Sequence, residues 1–143
     1  MKAGVHEMRL VVTTDDYDRA LRFYRDELGL DEIGAFDDGG GHVAILDGGR
    51  ATLELSDVPH AEHVDRLEVG RRVARAIRVA FAVDDARAVT ARLVDAGAIL
   101  LAEPTETPWR SLNSRLEAPA GLQLTLFEAL EPERPRVAKR QQG

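Results

Sequence analysis

Two stretches of the chain, about 70 residues apart, share one pattern of apolar and polar positions. RLVVTTDD at Arg9–Asp16 is answered by RVAFAVDD at Arg78–Asp85. Each is a short apolar, partly β-branched run ending in an acidic pair, the pattern of a strand that feeds a helix N-cap. A helical period follows in both copies. In the first, Ala20, Leu21, Tyr24 and Leu28 fall on one stripe that Gly29 stops; in the second, Val89, Leu93 and Ala96 do so before Gly97. The spacing predicts helices near Asp16–Leu28 and Asp85–Ala96.

Three short extended segments follow each helix. The first set lies near Glu32–Phe36, His42–Leu46 and Ala51–Leu55, the second near Ile99–Leu101, Leu112–Glu117 and Leu122–Phe127. Gly39-Gly40-Gly41, Gly48-Gly49 and Pro119-Ala120-Gly121 punctuate them as turns. Each half therefore reads strand, helix and three strands, an α+β arrangement of two βαβββ modules over residues 1–57 and 74–130. Residues 58–73 between them are polar, contain Pro59, His60 and His63, and read as a linker. Residues 131–143 are rich in charge and proline and are expected to be disordered.

Composition narrows the function classes. With 143 residues and 44% hydrophobic side chains, the chain can build a real core. A net charge of -6 argues against nucleic acid as a partner, because an acidic surface gains nothing from counterion release. No apolar run approaches the roughly 18 residues that span a bilayer, and MKAGVHEMRL lacks a signal-peptide core. The expectation is a cytoplasmic protein without a membrane partner. With no cysteine there is no disulfide, thiolate catalysis or cysteine metal site.

Alternation along the strands separates two faces. If Leu10, Val12, Leu53, Leu55, Val79, Phe81, Val83, Leu112, Leu116, Leu122, Leu124 and Leu126 face the helices, the opposite face takes the rest. It then carries Arg9, Val11 and Thr13; Thr52 and Glu54; Arg78, Ala80 and Ala82; Asn113, Arg115 and Glu117; and Gln123, Thr125 and Phe127. A mixed polar face suits either a ligand cavity or a solvated outer surface.

Several of these segments resemble the signatures of the vicinal-oxygen-chelate superfamily, which includes glyoxalase I, bleomycin-resistance proteins and extradiol dioxygenases. DYDRALRFYRDELGL (Asp16–Leu30) is similar to its first-helix signature. RVAFAVDD resembles its strand ending in VDD, and APAGLQLTLFE (Ala118–Glu128) its hairpin into the last strand. TPWR (Thr107–Arg110) resembles a loop of bleomycin-resistance-like members. The resemblance covers Met8–Glu128 and implies two modules whose mixed sheets curl around a cavity, often in a homodimer.

The resemblance also implies where a metal would sit, with one ligand from the first and fourth strands of each module. Those positions hold Arg9, Glu54, Arg78 and Thr125. Guanidinium has no lone pair to give a metal, and two would repel a divalent cation. Neither metal nor other cofactor is expected, and Glu54 is expected to pair with Arg9 or Arg78 through charge-assisted hydrogen bonds. The histidines offer other ligands: His60 and His63 if the linker were helical, His42, which falls on the inner face of the third strand and so suits a pocket role, and His6, which reads as surface. No serine has a histidine neighbour or nucleophile elbow, and Gly39-Gly40-Gly41 precedes a strand rather than a phosphate-binding helix. Trp109 either lids the sheet edge or offers a flat surface to a planar ligand, with Phe36 and Phe127 able to add to it.

Arg9, Glu54, Arg78, Trp109, Thr125, Asn113, Arg115 and His42 are thus the expected ligand-binding residues, with no catalytic residue assigned. The expected activity is metal-independent binding of a small, aromatic or anionic molecule in the manner of drug-resistance proteins. The alternative is a metal-dependent lyase or dioxygenase with atypical ligands.

Overall fold

The computed structural model describes residues 4–37 and 39–131, so the expectation of a disordered tail lies, beyond Glu131, outside the described residues. The first half comprises β1 (Val5–Thr14), α1 (Tyr17–Leu21), β2 (Asp31–Asp37), β3 (His42–Asp47) and β4 (Thr52–Asp57). After α2 (Val58–Glu68), the second half comprises β5 (Ile77–Val83), α3 (Ala86–Asp95), β6 (Ile99–Glu106), β7 (Ser111–Ala118) and β8 (Leu122–Ala129). The acidic pairs at the strand ends act as the pattern requires. Asp16 accepts from the N–H of Arg19 and Asp85 from that of Ala88, each satisfying a donor the first helical turn leaves free.

All eight strands join one curled, unclosed sheet in the order β2-β3-β4-β1-β5-β8-β7-β6. The halves meet where β1 runs antiparallel to β5, with Arg9 opposite Ala80 and Val11 opposite Arg78. Within each half the first strand lies parallel to the last: β1 beside β4 and β5 beside β8.

The helix-side face carries two apolar clusters. Ala44, Leu46 and Leu55 pack with Val12, Leu53, Tyr17, Ala20, Leu21 and Tyr24 under α1. Val83, Ala86, Val89, Leu112, Leu116 and Leu126 pack with Phe81 and Leu93 under α3. Burying side chains such as Leu46 and Leu116 is worth roughly 1.5–3 kcal/mol each. The predicted stripes shift at their ends. After Leu21 the first helix widens into a π-helical stretch over Arg22–Glu27, closed by the Leu28 N–H on the Phe23 carbonyl. The wider turn carries Leu28 out to solvent, and Tyr17 joins the core instead. Ala96 is likewise exposed at the C-cap of α3, while Ala86 at the opposite end of the helix is buried.

The largest departure concerns the polar stretch read as a linker. Residues Val58–Glu68 form a helix capped by Asp57, with Pro59 in its first turn. It meets β1, β3 and β4 of one half and β6 and β7 of the other, on the face opposite α1 and α3. The β2–β3 turn accommodates it. A Cβ on Gly41 (φ +98°) would stand 2.4 Å from both Asp57 Oδ1 and the His60 backbone nitrogen, and one on Gly40 2.4 Å from the His63 ring.

Candidate ligand-binding site

The concave face is built from positions two apart on β4, β1, β5, β8 and β7. Register sets Thr52, Arg9, Ala80, Thr125 and Arg115 side by side across five strands. The next row holds Glu54, Val11 and Arg78. The small side chains of Val11 and Ala80 form a buried floor between the charged groups.

Arg9 and Glu54 meet. Arg9 Nη1 lies 3.7 Å from Glu54 Oε1, while Arg9 Nε donates to Glu7 Oε2 at 2.9 Å. The Arg9 guanidinium also stands 4.9 Å from the centre of the Phe127 ring, a cation–π contact. Arg78 turns elsewhere. It is only 9% exposed, and its Nη1 donates to Thr125 Oγ1 at 2.7 Å. Burial first, and then the charge of Arg115, pull its guanidinium below the usual value, against the opposing pull of Glu68, Glu54 and Asp65. The expected trio is therefore not one closed cluster: Glu54 takes Arg9, and Arg78 rests on a neutral hydroxyl.

Asn113 and Arg115 share the concave face, and their charged partners come from α2. Arg115 is 0% exposed and donates to Asp65 Oδ1 at 2.9 Å, Glu68 Oε1 at 2.7 Å and Gln123 Oε1 at 3.2 Å. Asn113 Nδ2 donates to Glu68 Oε2 at 2.7 Å. Asp65 also accepts from the N–H groups of Val73 and Ala74, both at 2.8 Å. Burial opposes the Asp65 charge, but those two N–H groups and Arg115 outweigh it and hold the carboxyl below its ordinary range. The second half of the concave face is thus occupied by the protein's own helix.

His42 does not join the site. It shares a face with Ala44 and Leu46, on the helix side, because alternation from the buried Val43 turns it away from the concavity. Half exposed, it places Nδ1 3.0 Å from Asp57 Oδ2 and its ring 5.5 Å from that of Tyr17. Asp57 raises the His42 pKa, and burial with nearby carboxylates pushes Tyr17 up to about 12. Trp109 sits in the β6–β7 turn, 46% exposed, and makes no ring contact among the described residues. His60 and His63 lie on α2 with ring centres 6.4 Å apart, and His6 pairs with Asp84 at the surface. Among the described residues no group of three or more His, Asp or Glu side chains is disposed to hold a metal ion. An open groove of about 550 Å³ lies on the other side of the sheet, along α1, lined by Asp15, Asp16, Arg19, Phe23, Asp26 and Glu27 among others.

Glu7, Asp65 and Glu68 are the charged groups that alternation missed. Glu7 lies two residues before Arg9, on the same face, upstream of the point where the repeat begins. Asp65 and Glu68 share a stripe with Ala61 and Val64, spaced i, i+3, i+4 and i+7, behind an Asp-Val-Pro start that signals a helix.

The family model described as Glyoxalase/Bleomycin resistance protein/Dioxygenase superfamily matches residues 8–126. No curated protein matches the sequence significantly. Among solved structures, a hypothetical protein from Bacillus halodurans is 19% identical with a TM-score of 0.69, over 93% of this chain and 99% of its own. A methylmalonyl-CoA epimerase variant from Streptomyces coelicolor, in complex with 2-nitronate-propionyl-CoA, is 22% identical with a TM-score of 0.65, over 93% of this chain and 100% of its own. The methylmalonyl-CoA epimerase of Mycobacterium tuberculosis is 22% identical with a TM-score of 0.59, over 96% of each chain. At these identities the likeness is one of fold.

Proposed function

The chain belongs to the Glyoxalase/Bleomycin resistance protein/Dioxygenase superfamily, and from that premise we propose that it is a metal-independent small-molecule-binding member of the drug-resistance type. One observation carries the reading. The positions that align with the family's metal ligands hold Arg9, Glu54, Arg78 and Thr125; Glu54 pairs with Arg9, and Thr125 accepts from Arg78. Two guanidiniums have no lone pair for a metal and would repel it. A threonine hydroxyl that already accepts from one of them is a poor substitute. The residues present do not fit a divalent ion.

What they fit is a small molecule with an anionic oxygen and an apolar or aromatic body. Arg78 supplies donors that no carboxylate among the described residues takes. Phe127 and the floor of Val11 and Ala80 supply apolar surface. The competing reading, a metal-dependent lyase or dioxygenase with atypical ligands, rests on Glu54, an ordinary metal-ligand type at a family ligand position. Elemental analysis after incubation with zinc, manganese and iron salts and desalting separates the two. The binder reading expects less than stoichiometric metal and retention of a small molecule from an aromatic-acid panel. One equivalent of metal that is lost in Glu54→Gln would overturn it in favour of the metalloenzyme.

A further inference from the structure

We propose that the anionic end of the ligand is received between Arg78 and Arg115 over Thr125, and that it is the single carboxylate of a compact molecule. This rests on the binding reading above and deepens it by assigning a subsite and a ligand class.

Arg78 is a nearly buried cation whose hydrogen bond among the described residues goes to a neutral oxygen, Thr125 Oγ1. A guanidinium carries five N–H donors. Taking it out of water without an opposing carboxylate is costly unless something anionic arrives. Thr125 lies directly opposite Arg115 in the β7–β8 register. Arg115 is fully buried, and its Nε is left without an acceptor although both its Nη atoms are bonded. Two buried guanidiniums with donors to spare therefore flank one hydroxyl. Their mutual repulsion adds to the case, since an oxyanion between them would relieve it.

Arg9 is a poorer candidate for the same role. It is held by Glu7 and Glu54 and lies against Phe127, so it forms a wall of the site rather than a free donor.

The charge balance limits the ligand. Asp65 and Glu68 already face Arg115, and Arg72 adds a cation 3.3 Å from Asp65. A dianion at Arg78 would stand near those two carboxylates and Glu54, whereas a monocarboxylate meets a guanidinium to which no carboxylate is bonded among the described residues. Size is limited too, because α2 covers the β6–β7 side of the face.

The test uses the full chain with acetate, benzoate, sulfate and neutral benzamide as probes, at constant ionic strength, read by calorimetry and by thermal shift. Acetate and benzoate should bind saturably and sulfate should not. Arg78→Gln should weaken benzoate about tenfold or more, the scale of one hydrogen bond to a charged group. Arg87→Gln, at an exposed position of α3 on the other side of the sheet, should leave it within about threefold, less than the loss of such a bond. If Arg78→Gln does not give a native circular dichroism spectrum, Arg78→Lys is read instead, with weakened binding again expected. Benzoate binding that survives undiminished in the Arg78 variants would overturn the subsite and leave the binding reading standing. So would saturable benzamide with no carboxylate binding. Failure of every small molecule, here and in the aromatic-acid panel, would overturn both.

Discussion

Arg115 of β7 donates to Asp65 of α2 at 2.9 Å with both side chains out of water, and this contact fastens the helix across the concave face. Asp65 is also the acceptor for the N–H groups of Val73 and Ala74, so one carboxylate organises both the helix and the turn leading to β5. Asp65→Ala should destabilise the protein by roughly 3–5 kcal/mol, the scale for removing one partner of a buried pair. Urea denaturation measures it. A loss below about 1 kcal/mol, the scale of an exposed pair, would mean that Glu68 and the apolar contacts suffice to hold α2.

The Arg9–Glu54 pair should behave differently. Its atoms are 3.7 Å apart and the two side chains remain 20% and 17% exposed, while Arg9 keeps Glu7 as an alternative partner. Glu54→Ala is therefore expected to cost under about 1 kcal/mol, as an ion pair open to water does. A fall in thermal midpoint as large as that of Asp65→Ala would show that Glu54 anchors more than Arg9.

The His42–Asp57 contact predicts a pH dependence. Asp57 raises the His42 pKa above its ordinary 6.5, so the contribution is fully present below that value and is lost as pH rises through the shifted one. Burial works against the Asp57 charge, yet the His60 N–H and His42 hold its carboxyl below 3.8; its contribution is present above that value and is lost in acid. The latch should be strongest between these limits. The difference in urea midpoint between the wild type and His42→Gln should be largest near pH 5–6 and fade in mildly alkaline buffer. A pH-independent difference would contradict the assignment.

We propose that the chain forms a homodimer. Met8, Leu10, Ile77 and Leu122 are exposed apolar side chains on the helix-side face of the three central strands β1, β5 and β8. Contiguous apolar surface of this kind marks association sites. Sedimentation at micromolar concentration should show a dimer, and Leu10→Glu should shift it toward monomer. A monomeric wild type would remove the proposal.

Much of the architecture was legible because the repeat of strand, acidic cap and helix depends on local chemistry. Asp16 and Asp85 cap where the pattern puts them, and Leu55, Leu112, Leu116 and Leu126 bury where alternation puts them. The face that carries Arg9, Glu54, Arg78 and Thr125 was legible for the same reason. What covers that face was not. Asp65 and Glu68 look like solvent-facing charges until Arg115, some 50 residues away in sequence, is placed opposite them. His42 lies on the helix side with Ala44 and Leu46, but Val43 and Ile45 are apolar too, so β3 by itself does not say which of its two faces meets the helices. The partner of Arg9 could be guessed from charge; the turning of Arg78 toward Thr125 depends on a parallel β5–β8 pairing that local sequence does not encode.

The β1–β5 pairing has a consequence for how the protein would be assayed. Both halves of the concave face come from one polypeptide, joined strand to strand through Arg9 and Ala80. Occupancy of the site is then a property of the single molecule. Diluting the protein a hundredfold should leave the half-saturating ligand concentration unchanged, and inactive chains mixed in should neither rescue nor poison active ones.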